Sequence, residues 1–342
     1  MAQGSVAPQE LRIKADSFPC QSHVHFPTDI NLLWDAARKC FDTMEHLHQE
    51  RSWPGWRKRK ANSRQLKRRY HRLSSIKGRN RAQRQREAAP PYLKAARNLA
   101  DRVLNTLKLS RGMSLSTQEI AHLEALAYYH EHLCRQIDLL HRRVIKGETI
   151  PHEEKVFSIF EPHVQWINKG KRHIDIGHPV LIASDQHHFI LSYKVLDQGQ
   201  ADVETALPMA QALCERYGVA KLRSLSLDRG FYSQENRQLL LQYVEELILP
   251  KKGKKSQQEA LDEAQAEFVA LKDAHSAVES NINQLHANGL DHCPDRSQKG
   301  FRRYVAYGVL AYNLHRLGSM IIREERAQAA AEAHRHRADA AA

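Results

Sequence analysis

Two short stretches alternate apolar and polar residues and then meet a carboxylate. Leu11, Ile13 and Ala15 alternate with Arg12 and Lys14 up to Asp16, and Leu225 and Leu227 alternate with Ser224 and Ser226 up to Asp228. Period-two patterning of this length predicts strands. The second one passes through Arg229-Gly230 into a helix that Ser233 is placed to cap. Between the two strands the period changes to that of a helix. Leu33, Ala37, Cys40, Met44 and Leu47 form one stripe after Asp29, and Leu93, Ala96, Ala100, Val103 and Leu107 form a second. A third helix opens on the capping box Ser116-x-x-Glu119, carries Leu133, Ile137, Leu140 and Val144, and stops at Gly147.

After Pro151 the pattern turns to strands. Residues 179–183 and 189–195 are apolar runs separated by the turn-like SDQHH, which predicts a hairpin. A helix over Glu204–Tyr217 follows, then the strand to Asp228, the helix after Ser233 and a short strand over Glu246–Leu249. One long helix is expected from the capping box Ser256-x-x-Glu259 to about Leu285, and a last one over roughly 301–321. The Ala-rich tail is expected to fray. The domain reading is therefore 1–29 for a first strand with its Asp, 30–150 for a helical insertion, 151–321 for the rest of an α/β domain, and 322–342 for the tail.

Charge changes this picture in one place. The chain has 52 Lys and Arg against 39 Asp and Glu, a formal net charge of +13. Fifteen of the basic residues fall between Arg51 and Arg86, where there is no Asp or Glu. Arg57, Lys58, Arg59, Lys60, Lys67, Arg68 and Arg69 are the candidates for phosphate contact, and Trp53, Trp56 and Tyr70 for stacking on bases. A solvated charged stretch is the alternative. No apolar run approaches the length of a membrane span, and the N-terminus lacks the apolar core of a signal peptide. The five cysteines are scattered, without a CxxC pair, and read as reduced thiols of a cytoplasmic protein. Cys20, His23 and His25 form at most a weak metal cluster.

An Asp at the end of a strand followed by a glycine turn and a helix is where open α/β sheets place their chemistry, and equally where a side chain caps a turn. Both readings of Asp228 stand on spacing alone. If the two strands are parallel neighbours, Asp16 and Asp228 emerge side by side.

Larger blocks supply a resemblance. HFPTD at 25–29 with LLWD at 32–35, SIFEPHVQWINKGK at 158–171, GHPVLIA at 177–183, LDRGFYS at 227–233 and HSAVESNINQLHANGLDHCPDR at 275–296 resemble the DDE transposases of bacterial insertion sequences, nearest the ISNCY group. The resemblance implies an α/β, RNase H-like mixed sheet flanked by helices, with a basic all-helical insertion after the first strand. It implies that Asp16, Asp228 and Glu279 are catalytic and hold two divalent ions, Mg²⁺ or Mn²⁺, for cleavage and transfer of DNA strands. The implied partners are transposon ends and target duplex, bound by a homodimer in the bacterial cytoplasm at the nucleoid, with no membrane. Lys169, Lys171 and Arg172 precede the hairpin and are placed to guide DNA, an ordinary solvated loop being the alternative reading. His275, Asn281, Arg302 and Arg303 are placed to touch it, although His275 can equally just pack.

The sequence departs from that family at three points. A helical segment that family members carry ahead of the first Asp has no counterpart in the residues before Asp16, which reads as an N-terminally truncated copy. Ser17-Phe18-Pro19 stands where the family has Thr-Thr-Val, and Pro19 removes a backbone donor. His275 and His286 stand where related transposases have an Arg and a Lys. The alternative function is accordingly a catalytically silent DNA-binding remnant.

Overall fold

The computed structural model describes residues 10–168, 174–254 and 256–341. Its chain divides into two compact units, one of residues 1–23 with 163–342 and the other of Val24–Pro162.

The first unit opens with strand β1 (Arg12–Ser22). The second is all helix: α1 (Asp29–Glu50), α2 (Arg59–Ser74), α3 (Arg81–Ser110) and α4 (Thr117–Leu140). Thr28 caps α1 by accepting from the Asn31 N–H at 3.1 Å, and both halves of the Ser116–Glu119 capping box form at α4. The predicted stripe of α1 (Leu33, Ala37, Cys40, Met44, Leu47) is buried, as are Leu93, Ala96, Ala100 and Val103 of α3. The chain then widens into a π-helical turn over His141–Lys146 and ends on Gly147, at φ 74°.

The basic stretch is ordered into α2 and the start of α3. α3 begins twelve residues before the predicted stripe and runs through Pro90 and Pro91. Those prolines deprive the carbonyls of Arg86 and Glu87 of their helical donors. Burial of Gln85, Ala89, Tyr92 and Leu93 on one face carries the helix across the gap.

The first unit continues with β2 (Gln165–Ile167), β3 (Asp175–Ser184), β4 (Ile190–Val195), α5 (Ala206–Tyr217), β5 (Leu222–Leu227), α6 (Gln234–Leu240) and β6 (Val244–Ile248). It closes with α7 (Gln257–Glu263), α8 (Ala266–Ala274), α9 (Ser276–Leu285), β7 (His292–Cys293) and α10 (Ser297–Ala341). The expected long helix from Ser256 is three short ones, and the Ala-rich tail continues α10 as helix, in keeping with alanine's propensity.

The strands form a mixed sheet in the order β2-β3-β1-β5-β6, with β4 also paired to β3 and β7 to β1. β1 is antiparallel to β3 and parallel to β5. One face of the sheet (Ile13, Ala15, Leu225, Leu227) is covered by Met209, Ala210, Leu213 and Leu240 of α5 and α6. The other (Phe18, Cys20, Val180, Ile182) is covered by Val278, Ile282, Phe301 and Val305 of α9 and α10. Gly177 of β3 lies where β1 passes closest. A Cβ there would stand 2.0 Å from the Cys20 carbonyl oxygen, so no side chain fits.

His178, opposite Cys20 in the β1–β3 ladder, is 1% exposed, stacked on His163 and edge-on to Phe301. Burial, then the neighbouring His163 and Arg302, bring its pKa down to about 4, against the opposing Leu196 carbonyl and Asp197. An unfolded histidine titrates near 6.5, so between about pH 6.5 and about pH 4 the unfolded chain binds a proton that the native one refuses. Stability therefore falls as pH falls through that window. Calorimetry across it should show a declining thermal midpoint, with a shallower decline in His178→Phe; an unchanged slope in that variant refutes the assignment.

Candidate active site

The site follows from register. The β1–β5 ladder pairs Lys14 with Ser226 and Ala15 with Leu227. The next position on each strand is an aspartate, so Asp16 and Asp228 stand abreast. Side chains alternate between faces along a strand. Asp16 thus shares its face with Phe18 and Cys20, and Asp228 shares its face with Ser226, whose hydroxyl meets His275 Nδ1 at 3.1 Å. Both carboxylates consequently face the layer of α9, where Glu279 sits in the first turn.

Asp16 is not at the end of its own strand, as the alternation predicted. β1 runs six residues further, because β3 pairs with it as far as Gln21, Pro19 lying opposite Pro179. What ends at this point is the parallel neighbour. β5 stops at Leu227, and β7 takes up the same edge of β1 only at Gln21 and Ser22. Among the described residues no strand pairs with that edge between them, and the two aspartates stand at the mouth of this gap. Each carboxylate is steadied by a neighbouring backbone N–H: Ser17 donates to Asp16 Oδ1 at 2.7 Å and Arg229 to Asp228 Oδ1 at 2.6 Å. The capping role of Asp228 and an exposed, chemically available position are therefore both present.

Three further residues on this face were not singled out by sequence reasoning. Ser226 holds His275, and its two-residue offset from Asp228 was the available signal. Lys14 is half-buried two residues before Asp16, and burial lowers its pKa. Ser184 joins a buried network in which Asn281 Nδ2 donates to Ser184 Oγ at 2.8 Å while Asn281 Oδ1 accepts from Tyr312 at 3.0 Å and meets His188 Nδ1 at 3.0 Å. Asn281 is 2% exposed, so it fixes α9 to the sheet and does not reach DNA, correcting the expectation for it. His275 is half-buried; burial lowers its pKa despite the opposing pull of Asp228 and Glu279, so the ring is neutral at neutral pH.

Two aspartates side by side suit Mg²⁺, which takes one or two carboxylates and fills its remaining positions with water and phosphate oxygens. Among the described residues no three His, Cys, Asp or Glu side chains are gathered closely enough to hold a metal ion. The structure brings Asp16 and Asp228 together. Glu279 is exposed on the neighbouring helix, and His275 lies within electrostatic reach of both Glu279 and Asp228. The weak metal cluster of the N-terminal segment does not form: Cys20 is buried beside Cys293, His23 packs edge-on to His292, and His25 bonds Asp35 at 2.6 Å.

The basic candidates sort by exposure. Arg57, Lys58, Lys60, Lys67 and Arg68 are exposed. Arg59 is tied to Glu45 through two hydrogen bonds of 2.5 and 2.9 Å, and Arg69 donates to the Pro91 carbonyl at 3.2 Å. Trp53 and Trp56 are not available to bases. They are 3% and 0% exposed, and Trp56 donates to Thr106 at 2.8 Å. Tyr70 stacks on Trp34 at 5.6 Å. Arg302 and Arg303 pair with Asp197 and Asp295 at 2.7 and 2.8 Å, exposed bridges that are readily exchanged. Lys169, Lys171 and Arg172 lie outside the described residues. No described helix is long and apolar enough to cross a membrane.

Comparison with known proteins gives one positive finding. A family model described as a transposase DDE domain matches residues 144–314, half of the chain. That span includes Asp228 and Glu279 and leaves Asp16 outside. Searches of curated proteins and of solved structures found no match. With its carboxylate pair at the end of β5 and this match over the sheet and helices that follow, the chain belongs to the transposase DDE domain family.

Proposed function

We propose that the protein is an insertion-sequence transposase of the ISNCY type that cleaves DNA strands and transfers them, using an RNase H-like unit for the chemistry and residues 30–150 to hold DNA. The observation that carries this reading is the parallel register that sets Asp16 beside Asp228 where β5 ends. Asp16, Asp228 and Glu279 are the residues that would hold divalent ions. When bound, such ions activate the attacking oxygen and steady the leaving one at phosphorus. The chain's own part is to fix the carboxylates: backbone N–H groups orient both aspartates, and Glu279 stands exposed in the first turn of α9, the helix whose layer both aspartates face. Neutral His275, held by Ser226, stands near Asp228 and Glu279 without adding positive charge. The protein acts in the bacterial cytoplasm, at the nucleoid, on transposon ends and target duplex.

The test is incubation of the full chain with Mg²⁺ or Mn²⁺ and duplexes carrying the element's terminal repeats, with products resolved on denaturing gels. Nicks at the repeat ends that expose a 3′-OH, followed by joined products, are expected. Nicking without joining would mark a general nuclease, and salt-sensitive binding without nicking would mark a silent DNA-binding protein.

The exposed basic residues of the helical unit carry a separate prediction. Each phosphate neutralised contributes about 0.9 to the slope of log affinity against log salt concentration. Neutralising Arg57, Lys58, Lys67 and Arg68 together should lower that slope by about 3 to 4 if all four meet phosphate. Fluorescence anisotropy over a salt series reads it, and an unchanged slope removes these four residues, at and just before α2, from the DNA-binding surface.

A further inference from the structure

One cation stands beside the carboxylate pair without a partner of its own. Arg12, Lys14, Asp16 and Phe18 alternate onto one face of β1. Arg12 is paired with Glu10 and Glu246 at 3.6 and 3.7 Å. The Lys14 ammonium has no ion pair or hydrogen bond among the described residues, and burial acts on it unopposed. A half-buried cation without a partner costs stability that a neutral side chain of the same length would not. Its place is fixed from both sides. Lys14 lies opposite Ser184 of β3 and Ser226 of β5, and cross-strand partners share a face. Both neighbours are short, so the lysine side chain rises above its row. The same two serines hold α9, Ser226 through His275 and Ser184 through Asn281. The next row on this face, about 7 Å along the strands, is Ile182, Asp16 and Asp228. Lys14, Asp228 and Glu279 all act electrostatically on the His275 ring, which places the three charges around it.

We infer that Lys14 is a phosphate-binding residue of this site, its ammonium taking a non-bridging oxygen of the DNA strand that lies across the two aspartates. This role rests on the strand-cleaving activity proposed for the site and adds the group that offsets the site's own charge. Asp16, Asp228 and Glu279 repel a polyanion. Neutral His275 does nothing against that repulsion, and α9 (Ser276–Leu285) contains no Lys or Arg. Lys14 supplies positive charge there permanently, from the strand that also carries Asp16. An ammonium is a compact charge with three donors on a flexible stem, which suits a single phosphate oxygen and does not demand the fixed geometry of a guanidinium fork.

A contact of this kind leaves two signatures of opposite sign in Lys14→Met, which removes the charge and keeps the length. With metal chelated, the full-length variant should bind a duplex carrying the element's terminal repeats more weakly. Its slope of log affinity against log salt concentration should fall by about 0.9. Without DNA, the same variant should bind Mn²⁺ about 3- to 10-fold more tightly than wild type, because a like charge beside the carboxylates is gone. Lys14→Arg should restore both values. Fluorescence anisotropy over a salt series reads the first, and electron paramagnetic resonance of free Mn²⁺ during a titration reads the second. A side chain that only packs would move both affinities the same way or neither, and any pattern but the opposed one overturns the inference. Should Lys14→Met lose its far-UV circular dichroism, Lys14→Gln is measured in its place. Asp228→Asn separates Lys14 from the carboxylate site. Weaker Mn²⁺ binding in that variant, with no opposed pattern at Lys14, rejects Lys14 alone. Mn²⁺ binding that Asp228→Asn leaves unchanged rejects both.

Discussion

Asp228→Asn should lower DNA strand cleavage by more than ~100-fold, beyond the range that loss of an outer partner of a metal ligand gives. The choice of asparagine matters. The Asp228 side chain accepts from the Arg229 N–H at 2.6 Å, and an amide oxygen can accept the same bond, so the turn after β5 keeps its cap. What is lost is a negative charge at the position next to Asp16. The thermal midpoint should therefore stay near that of the wild type while gel-resolved nicking disappears. Equal nicking by the two proteins would remove Asp228 from the chemistry, and a collapsed midpoint would show its role to be the cap.

The second large effect concerns stability. Asn281→Leu keeps approximate volume but removes the centre of a buried network, leaving the Tyr312 hydroxyl and His188 Nδ1 without the acceptor they share and Ser184 Oγ without its donor. Each stranded buried group costs about 1–3 kcal/mol; Tyr312 and Ser184 are buried while His188 is only part-buried, so the total should be about 2–4 kcal/mol. Denaturant unfolding followed by circular dichroism measures it. A loss below ~1 kcal/mol would mean that solvent reaches these groups in the native state.

Much of the scaffold is legible because its signals are local. Thr28 and Ser116 cap their helices, and the stripe of α1 has a regular three-four spacing. The hairpin of β3 and β4 is flanked by its own turn. The misses share a different cause. Beyond Asp16 both faces of β1 are covered, so Ser17, Phe18, Pro19 and Cys20 are all buried and the alternation that announces a strand vanishes. α2 buries only Leu66 and Leu73, seven residues apart, which is too sparse a stripe to stand out among the charges around it. Trp53 and Trp56 read as stacking residues because basic neighbours surround them, whereas α1 and α3 supply the partners that bury them. The aspartate pair itself was legible only as a condition. Spacing says that each Asp follows a strand, and only the ladder says that the strands are neighbours.

The central position of β1 also sets a schedule for synthesis. Its neighbours in the sheet, β3 and β5, begin at Asp175 and Leu222, so a growing chain emits β1 long before either exists. During that interval Val24–Pro162, one uninterrupted stretch with mostly short-range helical contacts, can reach its native form on its own clock. The sheet cannot. Its ladder edges stay open until the ribosome has delivered more than half of the chain, which makes the interval before β5 emerges the time at which this protein is most exposed to mispairing.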